Sequence, residues 1–285
     1  MKQLLTALAV CLLLASCQKD ADPNGGDAPV NAESQTNVAY GTDPLQKMDI
    51  YLPSGRTTAA TKVIILIHGG AWNQGDKADF NTYVDTLKKR LPDYAIFNIN
   101  YRLATGTSNF FPVQENDVKA AIDFIYSKRS EYKISDKFVL LGASAGGHLA
   151  LLQAYKNTSP VRIKAVVDFF GPTDLVDMYN NPVNPLIPII LTQVTGGDPS
   201  TKATLYHDSS PVNYVTGQSP PTILLHGGVD IVVAYSQSVM LNTALQSAGV
   251  THQYVFYPTE NHGWTGANLT DSFDKISAFL AANVN

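Results

Sequence analysis

The sequence predicts a single α/β domain built on an open, mostly parallel, doubly wound sheet. Short apolar runs rich in β-branched residues alternate along the chain with segments of helical periodicity. Such alternation favours a parallel sheet with helices on both faces. The chain has 285 residues, of which 45% are hydrophobic and 15% charged. That length and composition suffice for one large core in one domain.

The strands are predicted from the apolar runs and the turn residues between them. A hairpin opens the domain from Val38 to Leu52 and turns at Gly41-Thr42-Asp43-Pro44. Further strand-like runs follow at 62–67, 94–100, 138–141, 163–170, 221–226 and 253–257. The run at 62–67 is continuous and rich in β-branched residues, so we expect this strand to be buried on both faces of the sheet.

Helical periodicity fills most of the intervals between these strands. The predicted helices cover 80–89, 113–126, a segment following residue 146, 235–248 and 269–282. Gly249 is a suitable left-handed residue after the fourth of them. The alternation of strand-like and helical segments is interrupted over about 175–215, which is rich in proline around an apolar stretch at 186–191. We interpret this interval as an inserted short helical cap that covers the functional site of the domain.

The N-terminus has the pattern of a targeting segment. Met1-Lys2 precedes an apolar run from Leu4 to Ala15, which is short for a permanent membrane span. The ending Leu14-Ala15-Ser16-Cys17 resembles the lipobox of bacterial lipoproteins. That resemblance implies cleavage before Cys17, lipidation of its sulfur and a location in the bacterial cell envelope, at the outer membrane, with exposure at the cell surface left open. An ordinary secretory signal is the alternative.

The polar stretch after Cys17 predicts a flexible tether over residues 18–37, followed by the α/β domain at 38–285. The formal net charge of −4 and the lack of basic runs in the sequence argue against a nucleic-acid partner. The two cysteines are Cys11 and Cys17. The mature domain would therefore carry no disulfide and no thiol chemistry.

The most informative motif is Gly142-Ala143-Ser144-Ala145-Gly146, directly after a strand and before a helical pattern. This is the Gly-x-Ser-x-Gly nucleophile elbow, in which small neighbours allow a sharp, strained turn around the serine. In that context Ser144 is predicted to be a catalytic nucleophile. The alternative is a tight strand-to-helix turn that happens to contain a serine.

A serine hydroxyl needs a general base, and His262 follows the last predicted strand in a loop that can reach the elbow. Asp230, in the loop after the preceding strand, is the candidate that orients the imidazole. Asp174 and Glu260 are rivals for that position, although Asp174 lies where a helix cap is expected. The chain order Ser144, Asp230, His262 is that of the α/β-hydrolases.

The developing oxyanion requires backbone N–H donors. Ala145, the residue after the nucleophile, supplies one. Gly70 and Ala71, in the segment His68-Gly69-Gly70-Ala71-Trp72 directly after the strand predicted at 62–67, are predicted to supply the others.

These motifs together resemble the α/β-hydrolase superfamily, and within it the hormone-sensitive-lipase-like esterases. The resemblance is carried by 68–72, by Asn100-Tyr101-Arg102-Leu103, by 142–146 and by the loops at 226–235 and 258–264. The Asp loop departs from the family's Asp-x-x-Val-Pro pattern, because Ala234 stands in place of the proline. The compact, secreted members that the chain resembles include acetyl-xylan and feruloyl esterases.

The resemblance implies a serine carboxylesterase that needs no metal or cofactor and deacylates plant polysaccharides. Trp72, Tyr101 and Trp264 lie near the motifs and are candidates for stacking on the substrate. A small-ester lipase, a formamidase or amidase of the same fold, and a non-catalytic carbohydrate-binding protein remain as alternatives. The motifs do not specify the acyl group, the alcohol or the oligomeric state.

Overall fold

The structure is a computed structural model that describes residues 30–285. The strands of the described chain form one sheet and are β1 (Glu33–Ala39), β2 (Lys47–Leu52), β3 (Lys62–Ile67), β4 (Tyr94–Ile99), β5 (Phe138–Ala143), β6 (Ala165–Phe169), β7 (Thr222–Gly227) and β8 (His252–Tyr257).

The α-helices of the same residues are α1 (Asn81–Arg90), α2 (Val113–Ser127), α3 (Arg129–Tyr132), α4 (Ala145–Lys156), α5 (Leu175–Asn180), α6 (Ile187–Thr195), α7 (Ala203–Asp208), α8 (Ser236–Ser247) and α9 (Gly266–Asn283). Short 3-10 turns at Lys77–Phe80 and Pro211–Tyr214 complete the regular structure.

The sheet order is β1-β2-β4-β3-β5-β6-β7-β8. The strands from β4 to β8 in this order are parallel, whereas β2 runs antiparallel to both β1 and β4. Adjacent residues of β3 belong to different cores, Ile65 on one face and Ile64 on the other. The predicted doubly wound, mostly parallel sheet is thereby confirmed. The strand β3 is buried on both faces as expected, and so are its neighbours β5 and β6.

The expected helical insertion at 175–215 consists of α5, α6, α7 and the second 3-10 turn. Pro188 lies in the first turn of α6, where its missing N–H leaves no helical hydrogen bond unmade. Gly196 ends α6 in a left-handed conformation, with φ of 74°. The insertion places the apolar side chains of α6 above the carboxyl ends of the central strands.

The predicted boundary at 37/38 between tether and domain is wrong by several residues, since β1 begins at Glu33 and pairs with β2. This strand is mostly exposed on both faces, so its sequence lacks the apolar pattern that marks a buried strand. The predicted signal segment 1–17, Cys17 and the tether up to residue 29 lie outside the described residues. Among residues 30–285, no helix is both long enough and apolar enough to cross a membrane.

Candidate active site

Ser144 lies in a sharp turn between β5 and α4. Its backbone has φ of 55° and ψ of −123°, a region that non-glycine residues rarely adopt. A Cβ on Gly142 would overlap the carbonyl of Gly146, and one on Gly146 would overlap the carbonyl of Ile67. The glycines of the motif therefore let the turn close against the neighbouring strand, and the strained serine presents its hydroxyl at the carboxyl edge of the sheet.

Ser144, His262 and Asp230 form a continuous line of hydrogen bonds. The Nε2 atom of His262 lies 2.9 Å from the Ser144 hydroxyl, and its Nδ1 atom lies 2.7 Å from Oδ2 of Asp230. The carboxylate accepts only, so Nδ1 carries the hydrogen and Nε2 is the acceptor for the serine hydroxyl. The structure thus brings the three predicted residues together in the arrangement that a serine nucleophile requires.

The Asp230 carboxylate is buried and its two oxygens have separate partners. Its Oδ1 accepts hydrogen bonds from the amides of Val232 and Val233 at 2.8 and 2.9 Å. Burial by itself raises the pKa of Asp230, but the hydrogen bonds from His226 and His262 outweigh it and hold the pKa well below its usual range. The carboxylate stays charged and stabilises an imidazolium at His262.

His226, at the end of β7, is a site residue that the sequence reasoning missed. Its ring is fully buried, with Nε2 2.9 Å from the carbonyl of Val233 and 3.3 Å from Oδ2 of Asp230. Because Nε2 faces two acceptors, it carries the hydrogen, and Nδ1 accepts from the hydroxyl of Ser238 at 2.7 Å. The ring of His226 therefore helps to hold the Asp230 carboxylate in place. The available signal is a polar ring directly after the apolar run at 223–225.

The loop that carries His262 is fastened to the loop that carries Asp230. The side-chain oxygen of Asn261 accepts from the amide of His262 at 2.8 Å and from the amide of Ile231 at 3.1 Å. The ring of Phe170 lies 4.6 Å from the imidazole, centroid to centroid. These contacts fix the ring of His262 over the serine.

The segment from Gly70 to Trp72 turns through three consecutive left-handed residues, with φ of 105°, 49° and 59°. The turn closes on itself because the amides of Asn73 and Gln74 donate to the carbonyl of Gly70. Among residues 30–285, the amides of Gly70, Ala71 and Ala145 donate to no protein acceptor. Ala71 and Ser144 line the same cavity. The predicted donors therefore have free N–H groups at the site.

Trp72 lines that cavity with its ring but is only 2% exposed. Its indole N–H donates to Nδ1 of His148 at 3.1 Å, and Nε2 of His148 donates to the carbonyl of Ser209 at 2.6 Å. His148 is fully buried, and burial lowers its pKa to about 4. The neutral ring thus connects the loop of Trp72 with the end of the cap. His148 does not act on the serine.

The expectation that Tyr101 stacks on substrate is wrong. The side chain is fully buried, and its hydroxyl donates to the carbonyls of His68 and Gly69 at 3.0 and 3.3 Å. Its ring stacks on the imidazole of His68 with centroids 4.3 Å apart. Tyr101 therefore supports the loop of the oxyanion donors from the protein interior, where no substrate reaches it.

Trp264 is likewise a core residue and not a stacking platform. It is 7% exposed, and its indole N–H donates to the hydroxyl of Ser272 at 2.9 Å. Its ring packs edge-to-face against Phe170, which in turn contacts His262. Trp264 therefore supports the histidine loop, and the expectation that it binds substrate is wrong.

The two rivals of Asp230 have other partners. Asp174 caps α5, where its carboxylate accepts from the amides of Val176 and Asp177 at 2.9 and 3.0 Å. Glu260 accepts from the side-chain amide of Asn268. Neither carboxylate is hydrogen-bonded to His262.

A narrow apolar cavity opens beside Ser144. Its walls are Ala71 and Trp72 on one side, Pro172, Val232 and Val233 on the second, and Met178, Ile187, Ile190 and Leu191 of the cap on the third. The cavity volume is about 40 Å³. Within the described chain, no cluster of three or more His, Cys, Asp or Glu side chains is arranged to hold a metal ion.

A mostly parallel sheet with the serine at the strand-to-helix turn after β5, and with the aspartate and histidine after β7 and β8, defines an α/β-hydrolase fold. Residues 48–245 match the BD-FAE family. The chain belongs to that family, and it is similar to the hormone-sensitive-lipase-like esterases.

Two solved structures and one curated protein illustrate the similarity. A truncated carbohydrate esterase from gut microbiota is 27% identical with a TM-score of 0.75, covering 89% of this chain and 96% of that one. A bifunctional GH43-CE protein of Bacteroides eggerthii is 29% identical with a TM-score of 0.78, and the match covers 88% of this chain and 35% of that one. Esterase LipC of Mycobacterium tuberculosis is 26% identical over 259 residues, which are 85% of this chain. The chain spans 64% of the length of LipC.

Proposed function

We propose that this protein is a serine carboxylesterase that removes short acyl groups, acetyl in particular, from a carbohydrate. The observation that carries the proposal is the line of hydrogen bonds from Asp230 through His262 to Ser144, with unpaired backbone amides beside the serine. This geometry suits acyl transfer through a covalent intermediate.

In the first step the Ser144 oxygen attacks the ester carbonyl while Nε2 of His262 takes the hydroxyl proton. The resulting imidazolium is stabilised by the Asp230 carboxylate, 2.7 Å from Nδ1. The amides of Gly70, Ala71 and Ala145 receive the oxyanion. The loss of one such donor typically costs about 3–4 kcal/mol of transition-state stabilisation.

The tetrahedral intermediate then collapses and the bond to the alcohol oxygen breaks. His262 returns its proton to that oxygen, which leaves as the free hydroxyl of the carbohydrate. In the second step His262 takes a proton from water as the water oxygen attacks the acyl carbonyl. The bond to the Ser144 oxygen then breaks, His262 returns its proton to that oxygen, and the acid departs. Each step transfers one proton through the same ring nitrogen.

The size and lining of the cavity favour a short aliphatic acyl group. A narrow cavity of about 40 Å³ favours acetyl over a bulky aromatic acid. Apart from the Ser144 hydroxyl, the side chains that line it are apolar, and the indole N–H of Trp72 is already bound to His148. A feruloyl hydroxyl placed there would be buried without a partner, at a cost of about 1–3 kcal/mol. Acetyl is therefore preferred to feruloyl in this proposal.

A carbohydrate as the alcohol is supported by the similarity to the carbohydrate esterase from gut microbiota and to the GH43-CE protein. The curated relatives include esterases and one probable carboxylic ester hydrolase. A broken triad would favour a non-catalytic binding protein, and here the three residues are in hydrogen-bonding contact.

The test is hydrolysis by the purified protein and its Ser144→Ala variant of 4-nitrophenyl acetate, butyrate and octanoate, methyl ferulate and acetylated xylan. We expect release to fall in the order acetate, butyrate, octanoate, with acetate released from the xylan. The alanine variant is expected to lose about 10⁶-fold in kcat. Equal turnover by the variant, or no turnover of any ester by the parent, contradicts the proposal.

We also propose that the protein is anchored in the bacterial envelope through a lipid on Cys17. Support comes from the lipobox-like ending Leu14-Ala15-Ser16-Cys17 after an apolar run. Two-chain lipidation gives stable membrane attachment, so Cys17→Ser is expected to move the protein from the membrane to the soluble fraction. Retention of the variant in the membrane fraction contradicts the anchor.

A further inference from the structure

A second cavity lies beside the oxyanion loop, next to Trp72. It is formed by residues 45, 73, 103–106, 109, 193 and 194, and we call it the polar groove. Its volume is about 500 Å³, within the range of about 300–1,000 Å³ typical of ligand pockets. The mechanism described above makes no use of it.

Unused carboxamide groups line the polar groove. Asn73 is half-buried and Gln193 is exposed, and among residues 30–285 neither side chain forms a hydrogen bond to another protein group. Asn109 donates its side-chain N–H to the carbonyl of Leu103 at 3.2 Å, which leaves its side-chain oxygen free. Each free carboxamide offers both donors and an acceptor. The groove therefore presents the mixed hydrogen-bonding capacity that matches a ligand rich in hydroxyl groups.

The remaining lining of the groove is neutral and partly aliphatic. All nine of its lining residues are uncharged, which disfavours a phosphate or any other strongly charged ligand. Leu103 is half-buried and Leu45 is 38% exposed at the rim, so these two residues supply apolar surface, whereas Ala104 and Val194 are buried. A sugar ring has both hydroxyl edges and C–H faces, and this combination of carboxamides and aliphatic side chains suits both.

The polar groove and the cavity beside Ser144 share two structural elements. In the oxyanion loop, Trp72 lines the cavity and the next residue, Asn73, lines the groove. In α6, Leu191 lines the cavity, whereas Gln193 lines the groove. The carbonyl of Trp72 accepts from the amide of Ala104 at 3.0 Å, which joins the floor of the groove to the loop. The groove and the cavity therefore border the same loop and the same helix.

Building on the esterase function proposed above, we propose that the polar groove binds the neutral saccharide chain that carries the ester. Asn73 and Gln193 donate to and accept from its hydroxyl groups, and the aliphatic side chains contact its ring faces. The groove thus determines specificity for the alcohol part of the substrate, while the apolar cavity holds the acyl part.

The test compares two substrates, acetylated xylo-oligosaccharide and 4-nitrophenyl acetate, whose small leaving group does not extend along the groove. The double variant Asn73→Ala/Gln193→Ala is expected to lower the ratio of their kcat/KM values about tenfold, since each lost hydrogen bond is worth roughly threefold to tenfold. Gln74→Ala, an exposed carboxamide on the same loop outside the groove, is the matched control and leaves the ratio unchanged. An unchanged ratio in the double variant overturns the proposal.

A binding measurement separates this proposal from the esterase proposal. Xylohexaose, which carries no ester, is titrated into the Ser144→Ala protein with and without the groove substitutions. We expect about tenfold weaker binding when Asn73 and Gln193 are replaced, whatever the outcome of the hydrolysis assays. If the double variant fails to fold, the single Gln193→Ala variant at an exposed position of α6 takes its place, with a threefold or larger loss expected. No binding to the parent, or equal binding to the variants, overturns the groove assignment.

Discussion

Asp168 is a carboxylic acid in the middle of the core. It lies on β6 opposite Gly142 of β5 and is fully buried. One of its oxygens accepts from the amide of Gly171 at 3.0 Å, and the other has no partner among the described residues. Burial raises the pKa of Asp168 to about 8, against the smaller opposing effect of the Gly171 hydrogen bond. The folded protein therefore holds this group neutral at pH 7.

A neutral Asp168 makes stability depend on pH with a definite sign. In the unfolded chain the group ionises near the ordinary aspartate pKa of 3.8, but in the fold it stays protonated up to about pH 8. The contribution of Asp168 to the free energy of unfolding is therefore largest below pH 3.8. It falls by about 1.4 kcal/mol per pH unit as the pH rises from 3.8 towards 8. Asp168→Asn, which resembles the neutral acid in shape, is expected to stabilise the fold by about 4 kcal/mol more at pH 8 than at pH 5, because the two pH values are three units apart.

Urea unfolding of Asp168→Asn at the two pH values, beside the exposed control Asp85→Asn, measures this effect. A gain that is the same at pH 5 and pH 8 would contradict the buried neutral acid.

The sequence predicted the convergence of three residues at the candidate site but assigned the wrong role to two aromatic residues. Ser144, Asp230 and His262 follow strands whose carboxyl ends meet at one edge, so their convergence could be predicted from chain order. Tyr101 and Trp264 also adjoin motifs, but their rings point into the core. Adjacency along the chain does not show which side of a loop a ring occupies, and this physical ambiguity produced both errors.

Helix α6 is the element that limits the acyl group. Ile190 and Leu191 face the cavity beside Ser144, whereas Ile189 is 54% exposed on the outer side of the same helix. Ile190→Ala is expected to raise the butyrate-to-acetate ratio of kcat/KM about tenfold, because the removed carbons make room for the longer chain. The measurement uses the two 4-nitrophenyl esters.

Ile189→Ala removes the same atoms from the solvent side of α6 and is the matched control. It is expected to leave the ratio as in the parent protein. A ratio that shifts equally in both variants would mean that α6 acts through cap stability and not through cavity size.

The buried strands were predictable because their runs are apolar and continuous, as in β3, β4 and β7. The beginning of β1 was not, because most of its side chains face water and leave the sequence free of any periodic apolar signal. The helical cap was predictable as an interruption of the alternating pattern. The narrowness of the cavity beneath it depends on side-chain packing between distant segments, which no local pattern encodes.

The domain as a whole is predicted to begin near residue 30. A chain of residues 30–285 should keep the melting temperature and kcat of the full-length protein. A chain of residues 41–285 loses β1, the bond from the Asn37 amide to Asp49, and the bond from the Tyr40 hydroxyl to the carbonyl of Asn100. With roughly 1 kcal/mol per lost hydrogen bond, its melting temperature should fall by about 10 °C or more. Equal melting temperatures for the two truncated chains would contradict a structural role for β1.

The molecule's catalytic centre is most directly tested by covalent labelling of the serine. The purified protein is treated with an alkyl phosphonofluoridate, which forms an O–P bond with an activated serine and releases fluoride, and the product is mapped by mass spectrometry of its peptides. We predict one adduct per chain, on the peptide that contains Ser144. The label should be absent from Ser144→Ala and should form at least about 10³-fold more slowly in His262→Gln, which lacks the base. An adduct on another residue, or labelling of the Ser144→Ala protein at the rate of the parent, would contradict the account.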